Sequence, residues 1–130
     1  RKVRYAMSFH GARYIHILVP CPLGWGAASA KTVTLARLAQ ETGIFPVFEA
    51  EYGEVTGVHK IRRKQPVEAY LKLQKRFAHL FGKKANPEVL ARMQELADRN
   101  IEKFGLLDVQ DEPEMPIPVP EQAEERSHQI

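Results

Sequence analysis

At 130 residues, with 44% hydrophobic and 27% charged content, the chain has the size and make-up of one ordinary globular domain with a modest core. No apolar run approaches the roughly 20 residues that cross a bilayer, the first ten residues show no signal-peptide pattern, and a lone cysteine excludes an internal disulfide, so the expected setting is a reducing cytoplasm with no membrane partner. The net charge of +3 hides an asymmetry, with 18 Lys+Arg against 9 Asp+Glu over residues 1–107 and 1 against 7 over residues 108–130.

The chain opens at Arg1 inside what reads as the end of an amphipathic helix, with Val3 and Met7 flanked by Lys2 and Arg4. The expectation is a segment of a longer polypeptide, its first helix closed by Gly11. Residues 13–19 are dense in β-formers (Tyr14, Ile15, Ile17, Val19) and stop at Pro20-Cys21-Pro22, followed by Gly24, Trp25 and Gly26. That pattern predicts a buried strand ending in a rigid loop. In open α/β sheets, ligands sit just outside the carboxyl ends of strands, which is where Cys21 falls.

Ser29 is the expected N-cap of a helix from about Ala30 to Thr42, stopped by Gly43. Ile44–Tyr52 reads as a strand, with Pro46 at its start or on an edge. Gly53 turns the chain into a second strand over Glu54–Ile61, making a hairpin appended to the domain. Pro66 opens a helix whose apolar stripe is Val67, Tyr70, Leu71, Gln74, Phe77, Ala78 and Phe81. Asn86-Pro87 starts another, with Val89, Leu90, Met93, Leu96, Ala97, Ile101 and Phe104 as its stripe and Gly105 as its stop. From Asp108 onward, four prolines and seven acids predict an extended tail. The expected division is a domain over 1–107 and an acidic, Pro-rich tail over 108–130.

A lone cysteine is ordinarily a small buried hydrophobe. The two flanking prolines, the strand before Cys21 and the amides of Leu23, Gly24, Trp25 and Gly26 behind it point instead to a ligand or a reactive thiol. Both readings stand on the residues alone. One thiolate cannot hold an iron–sulfur cluster, and no CxxC is present, so further ligands would come from elsewhere. Trp25 would shield whatever Cys21 holds, or pack as an ordinary core residue. His10, His16, His59, His79 and His128 lack metal-ligand spacing, and His16 reads as a core or interface histidine. Glu41, Glu49 and Glu51 read as solvated, with Glu49 and Glu51 able to pair with the basic run 60–64. Lys31 and Thr32 follow GWGAASA, which lacks the phosphate-loop spacing. The basic body raises nucleic acid as a partner, but no nucleic-acid motif accompanies it; an acidic subunit or the tail is the expected counter-charge.

RYIHILVPCPLGW, KTVTLARLAQETGIFPVFEAE and PVEAYLKLQKRFAHL together resemble the carboxyl-terminal part of the β subunit of 2-oxoacid:ferredoxin oxidoreductases, and of pyruvate:ferredoxin oxidoreductase (pyruvate synthase) among them. The likeness runs from residue 1 to about residue 104. It implies an α/β fold: the C-terminal part of a three-layer thiamine-diphosphate-binding domain, ending in a hairpin and two helices. It also implies oxidative decarboxylation of a 2-oxoacid to an acyl-coenzyme A. The cofactors implied are thiamine diphosphate, Mg²⁺ and [4Fe–4S] clusters, and the partners are the other subunits and ferredoxin. In the family, the cysteine of the PCPxGW segment is the last ligand of a [4Fe–4S] cluster, which carries over to Cys21 alone. The GDG…N motif and the other three cysteines of the family lie upstream and are absent here. The chain is then a fragment or a split subunit, inactive alone, or has lost the activity. No catalytic residue and no thiamine-binding residue transfers to these positions. The alternative from a different class is a non-catalytic basic module that binds an acidic protein or nucleic acid.

Overall fold

The computed structural model describes residues 2–82 and 85–108. The elements are α1 (Lys2–Ala6), α2 (Pro22–Trp25), a 3-10 turn (Ser29–Lys31), α3 (Thr32–Glu41), β1 (Phe48–Glu51), β2 (Glu54–Val58), α4 (Val67–Leu71), a 3-10 segment (Lys75–Leu80) and α5 (Pro87–Phe104). The architecture is a mixture of helices with one small two-stranded sheet.

The core forms where three helical stripes meet. Leu35 and Ala39 of α3, Val67, Tyr70 and Leu71 of α4, Leu80, and Ala97 of α5 are buried against one another. These positions recur at the three- and four-residue spacing that puts side chains on one helix face. A second cluster, Ile61, Ile101 and Leu106, closes the far end of α5. There Ile61 and Leu107 form an isolated parallel bridge. Ile61 N–H donates to the Leu106 carbonyl at 2.6 Å, and Asp108 N–H donates to the Ile61 carbonyl at 3.4 Å.

Several boundaries follow from local chemistry. The side chain of Asn86 accepts the Val89 N–H at 3.2 Å, capping α5 as its sequence predicts. At the junction after α3, Gly43 has φ +77°, and a Cβ there would meet Ile101 Cγ1 at 2.6 Å and the Ala97 carbonyl at 2.8 Å. Only glycine accommodates both the backbone conformation and the approach of α5. In the hairpin, Tyr52 and Gly53 both have positive φ, the two-residue turn whose twist matches antiparallel strands. The hairpin register carries an irregularity between Glu49 and Ala50. Phe48 stacks on Phe104 with ring centroids 4.7 Å apart, which fastens the hairpin to α5.

Four expectations need correction. Residues 13–19 belong to no strand, and Tyr14, Ile17 and Val19 are 86%, 69% and 70% exposed. A strand needs a neighbour to take its backbone hydrogen bonds, and among the described residues none lies beside this one. The helix expected from Pro66 to Phe81 stops at Leu71. Gln74 takes an extended conformation, and its side-chain amide donates to the Tyr70 carbonyl at 2.8 Å, the acceptor its own N–H would use in a helix. The first helix ends at Ala6, well before Gly11. Ser29 does not cap α3; its side chain lies in the 3-10 turn, and its carbonyl accepts the Thr32 hydroxyl at 2.7 Å. Apart from Asp108, the tail lies outside the described residues.

Candidate functional site

Cys21 stands at the N-cap of α2, with extended backbone (φ −101°, ψ 105°). Pro22 occupies the first helical position, where its missing N–H costs nothing. Cys21 is exposed in this chain. Its Sγ accepts the Gly24 N–H at 3.3 Å. Two of the other amides are spent elsewhere: Trp25 N–H donates to the Cys21 carbonyl at 2.9 Å, and Gly26 N–H to the Leu23 carbonyl at 3.2 Å. The sequence therefore offers a run of donors, but the turn aims one of them at sulfur.

The far end of this turn is seated on the segment after α4. Gly26 has φ +62°, and a Cβ on it would lie 2.7 Å from Lys75 Cβ. Its carbonyl accepts the Lys75 N–H at 3.3 Å. The half-buried Trp25 packs against the main core. The Arg76 guanidinium lies over the Trp25 ring at 4.2 Å and over the Phe77 ring at 4.7 Å. Arg76 Nε donates to Gln74 Oε1 at 2.9 Å, and Gln74 is 1% exposed. Sequence reasoning passed over Arg76 and Gln74, which look like a helix's polar face and an apolar stripe. The available signal was a glutamine inside that stripe.

The remaining candidates stay apart from Cys21. His16 is exposed in this chain, its ring edge-on to Phe45 at 5.1 Å. His10, His59 and His79 are exposed on separate segments, and His128 lies outside the described residues. Among the described residues, no group of three or more His, Cys, Asp or Glu is placed to hold a metal ion. Glu49 and Glu51 do not pair with residues 60–64. Glu49 bonds Lys2 at 2.9 Å, and Glu51 accepts the Tyr5 hydroxyl at 2.8 Å, which pushes the phenol above its ordinary value. Lys60 instead donates to the Gly105 carbonyl at 2.5 Å, and Lys64 bonds Asp98 at 2.7 Å. The Thr32 hydroxyl is taken by the Ser29 carbonyl, in line with reading the phosphate-loop likeness as chance. Arg37, His59, Lys60 and Arg62, with Glu41 and Asp108, line an open depression of about 580 Å³ on the basic face. No helix among the described residues is long and apolar enough to cross a membrane.

A single exposed thiol with one N–H donor could fill at most one ligand position of a metal cluster. Nothing among the described residues offers a second cysteine ligand or a Mg²⁺ site.

No family model matches the chain. Curated relatives do. Pyruvate synthase subunit PorB of Methanosarcina barkeri is 46% identical over 106 residues, covering 82% of this chain and 36% of that subunit. Its counterpart in Methanocaldococcus jannaschii is 42% identical over 106 residues, covering 82% and 34%. Ketoisovalerate oxidoreductase subunit VorB of Pyrococcus abyssi is 39% identical over 82 residues, covering 62% and 26%. The chain thus spans about a third of the length of the pyruvate synthase subunits it matches. Identity at this level, sustained over most of the chain, places it among subunits of oxidoreductases: it belongs to the β-subunit family of the 2-oxoacid:ferredoxin oxidoreductases.

Proposed function

We propose that this chain is the carboxyl-terminal portion of the β subunit of a 2-oxoacid:ferredoxin oxidoreductase, inactive alone, with pyruvate as the 2-oxoacid. The observation that carries the reading is the 46% identity over 106 residues to a subunit named for pyruvate synthase. The full enzyme would decarboxylate the 2-oxoacid oxidatively to an acyl-coenzyme A and pass electrons to ferredoxin. It would work in the cytoplasm, as a complex with its other subunits. Thiamine diphosphate and Mg²⁺ would be bound by residues outside these 130, since no residue here transfers to that site.

Within this reading Cys21 supplies one thiolate to a [4Fe–4S] cluster. The cluster, when bound, would supply one-electron transfer between decarboxylation and ferredoxin. The chain's own part is to present the sulfur. The exposed cap position leaves Sγ open to a metal from outside, and the Gly24 N–H donates to it, the kind of bond that tunes a sulfur ligand. Residues 13–19, unpaired here, would enter the sheet of a three-layer thiamine-binding domain whose other strands come from the rest of the subunit. That placement would set Cys21 at the carboxyl end of a central strand.

The test is the enzyme purified with its partner subunits, assayed for iron, sulfide and thiamine. Cys21→Ser replaces a soft ligand by a harder one. One cluster's worth of iron, about four atoms per β subunit, should be lost or reduced while thiamine stays bound. Full iron content and an unchanged cluster EPR signal in Cys21→Ser would remove Cys21 from the site.

A further inference from the structure

An exposed thiol that serves as a ligand must be held in place by something other than burial. Cys21 has no packing of its own to fix it, and α2 is a single turn. Besides the Lys75 N–H bond to the Gly26 carbonyl and the packing of Trp25 on the core, a relay from the core outward holds the turn. The Tyr70 carbonyl accepts the side-chain amide of Gln74 at 2.8 Å, and Gln74 Oε1 accepts Arg76 Nε at 2.9 Å. Arg76 then lies 4.2 Å over the ring of Trp25, and the backbone N–H of Trp25 donates to the Cys21 carbonyl at 2.9 Å. The buried glutamine fixes the guanidinium, the guanidinium fixes the indole, and the indole's residue is bonded directly to the cysteine. A guanidinium suits this role because it is planar, always charged, and able to stack and donate at once.

We propose that Arg76, anchored by Gln74, is the positioning residue of the Cys21 turn. The role in ligation rests on the reading of Cys21 as a cluster ligand; the contact itself does not. Arg76 is exposed, but its replacement also takes a donor from the buried Gln74 Oε1, so the amides of α5 serve as the control for a wider effect. Trp25 is the only tryptophan, and its emission therefore reports this one place.

The test uses the full 130-residue chain, then the assembled enzyme. In Arg76→Ala, the Trp25 and Gly24 amides should exchange hydrogen about two- to fivefold faster, the population change that follows from one exposed cation–π contact. Amides within α5 should be unchanged, and the indole emission should move to the red. Arg76→Lys keeps a cation over the ring but loses the planar donor to Gln74, and should fall between wild type and Arg76→Ala. In the assembled enzyme, a chelator should strip iron from Arg76→Ala about two- to fivefold faster, by the same population change. Unchanged Trp25 and Gly24 exchange in Arg76→Ala overturns the proposal whatever the iron does. Faster exchange throughout α5 also overturns it, by making the effect one of general stability. Arg76→Lys as fast as Arg76→Ala overturns the part assigned to the cation. Full iron retention in Cys21→Ser, by contrast, overturns the ligand reading and the role in ligation, while the relay to Trp25 still stands on the exchange rates.

Discussion

Residues 13–19 and the three helices α3, α4 and α5 are all rich in apolar side chains, yet they end in opposite environments. Leu35, Leu71 and Ala97 are 1%, 0% and 0% exposed, whereas Tyr14, Ile17 and Val19 are 86%, 69% and 70% exposed. The difference lies in what each kind of element needs from its surroundings. A helix closes its own backbone hydrogen bonds and needs a neighbour for one face alone. A strand offers its backbone groups sideways and needs other strands to receive them. The helices find their neighbours within about 70 residues of chain; among the described residues no strand pairs with residues 13–19, although Leu18 packs on the core. A run of β-formers left in the open is what a segment shows when no strand lies beside it to receive its backbone groups.

One pair of substitutions tests this contrast directly. Leu71→Ala should lower the stability of the chain by about 2–5 kcal/mol, read by denaturant or thermal unfolding, because the site is fully enclosed by α3, α4 and α5. Ile17→Ala, a comparable loss of side chain, should change it by less than about 0.5 kcal/mol in the same chain. In the assembled enzyme Ile17→Ala should become costly as well. Similar losses for both in the chain alone would erase the distinction. Next in size is Gly43→Ala, expected to cost about 1–3 kcal/mol, because the φ of +77° is strained for alanine and the new Cβ would press on Ile101 and the Ala97 carbonyl.

What the sequence made legible follows the same divide. The span of α5, its Asn86 cap and its Gly105 stop are local signals, and each is met: Gly105 has φ +55°, and the Asn86 side chain bonds Val89. The hairpin was legible because its turn chemistry is local too. The break in the helix after Leu71 was only hinted at, since a lone glutamine in an apolar stripe marks a polar group that must find a partner but does not say that the partner is the Tyr70 carbonyl. Cys21 could be singled out from its prolines and its place after a run of β-formers. The relay through Gln74, Arg76 and Trp25 could not, because it joins segments about 50 residues apart through contacts that no spacing encodes.

Asn86→Ala sharpens the local side of the comparison. Losing the side-chain acceptor for the Val89 N–H should cost about 1 kcal/mol. The loss should appear as fraying of the first turn of α5, seen by hydrogen exchange, with the Cys21 turn untouched. Faster exchange at Gly24 in this variant would mean that the two regions are coupled more tightly than the packing indicates.

The smallest effect belongs to Asp98. Its carboxyl is held below the usual carboxylate range, chiefly by the hydrogen bond from Lys64 and further by the one from Gln94 at 3.0 Å. Since the folded state prefers the ionised form more than the unfolded chain does, the pair stabilises the fold at neutral pH. That contribution is full above about pH 4, the unfolded value for aspartate, and is lost as pH falls through the lower folded value. Both side chains are nearly half exposed, at 44% and 45%, so the contribution should stay below about 1 kcal/mol and shrink further in salt. Unfolding of Asp98→Asn beside wild type, followed from neutral pH downward, should show a small gap that closes once the solution is more acidic than about pH 4. A gap that persists unchanged into strong acid would show that the side chain contributes through packing and its amide-like hydrogen bonds, not through its charge.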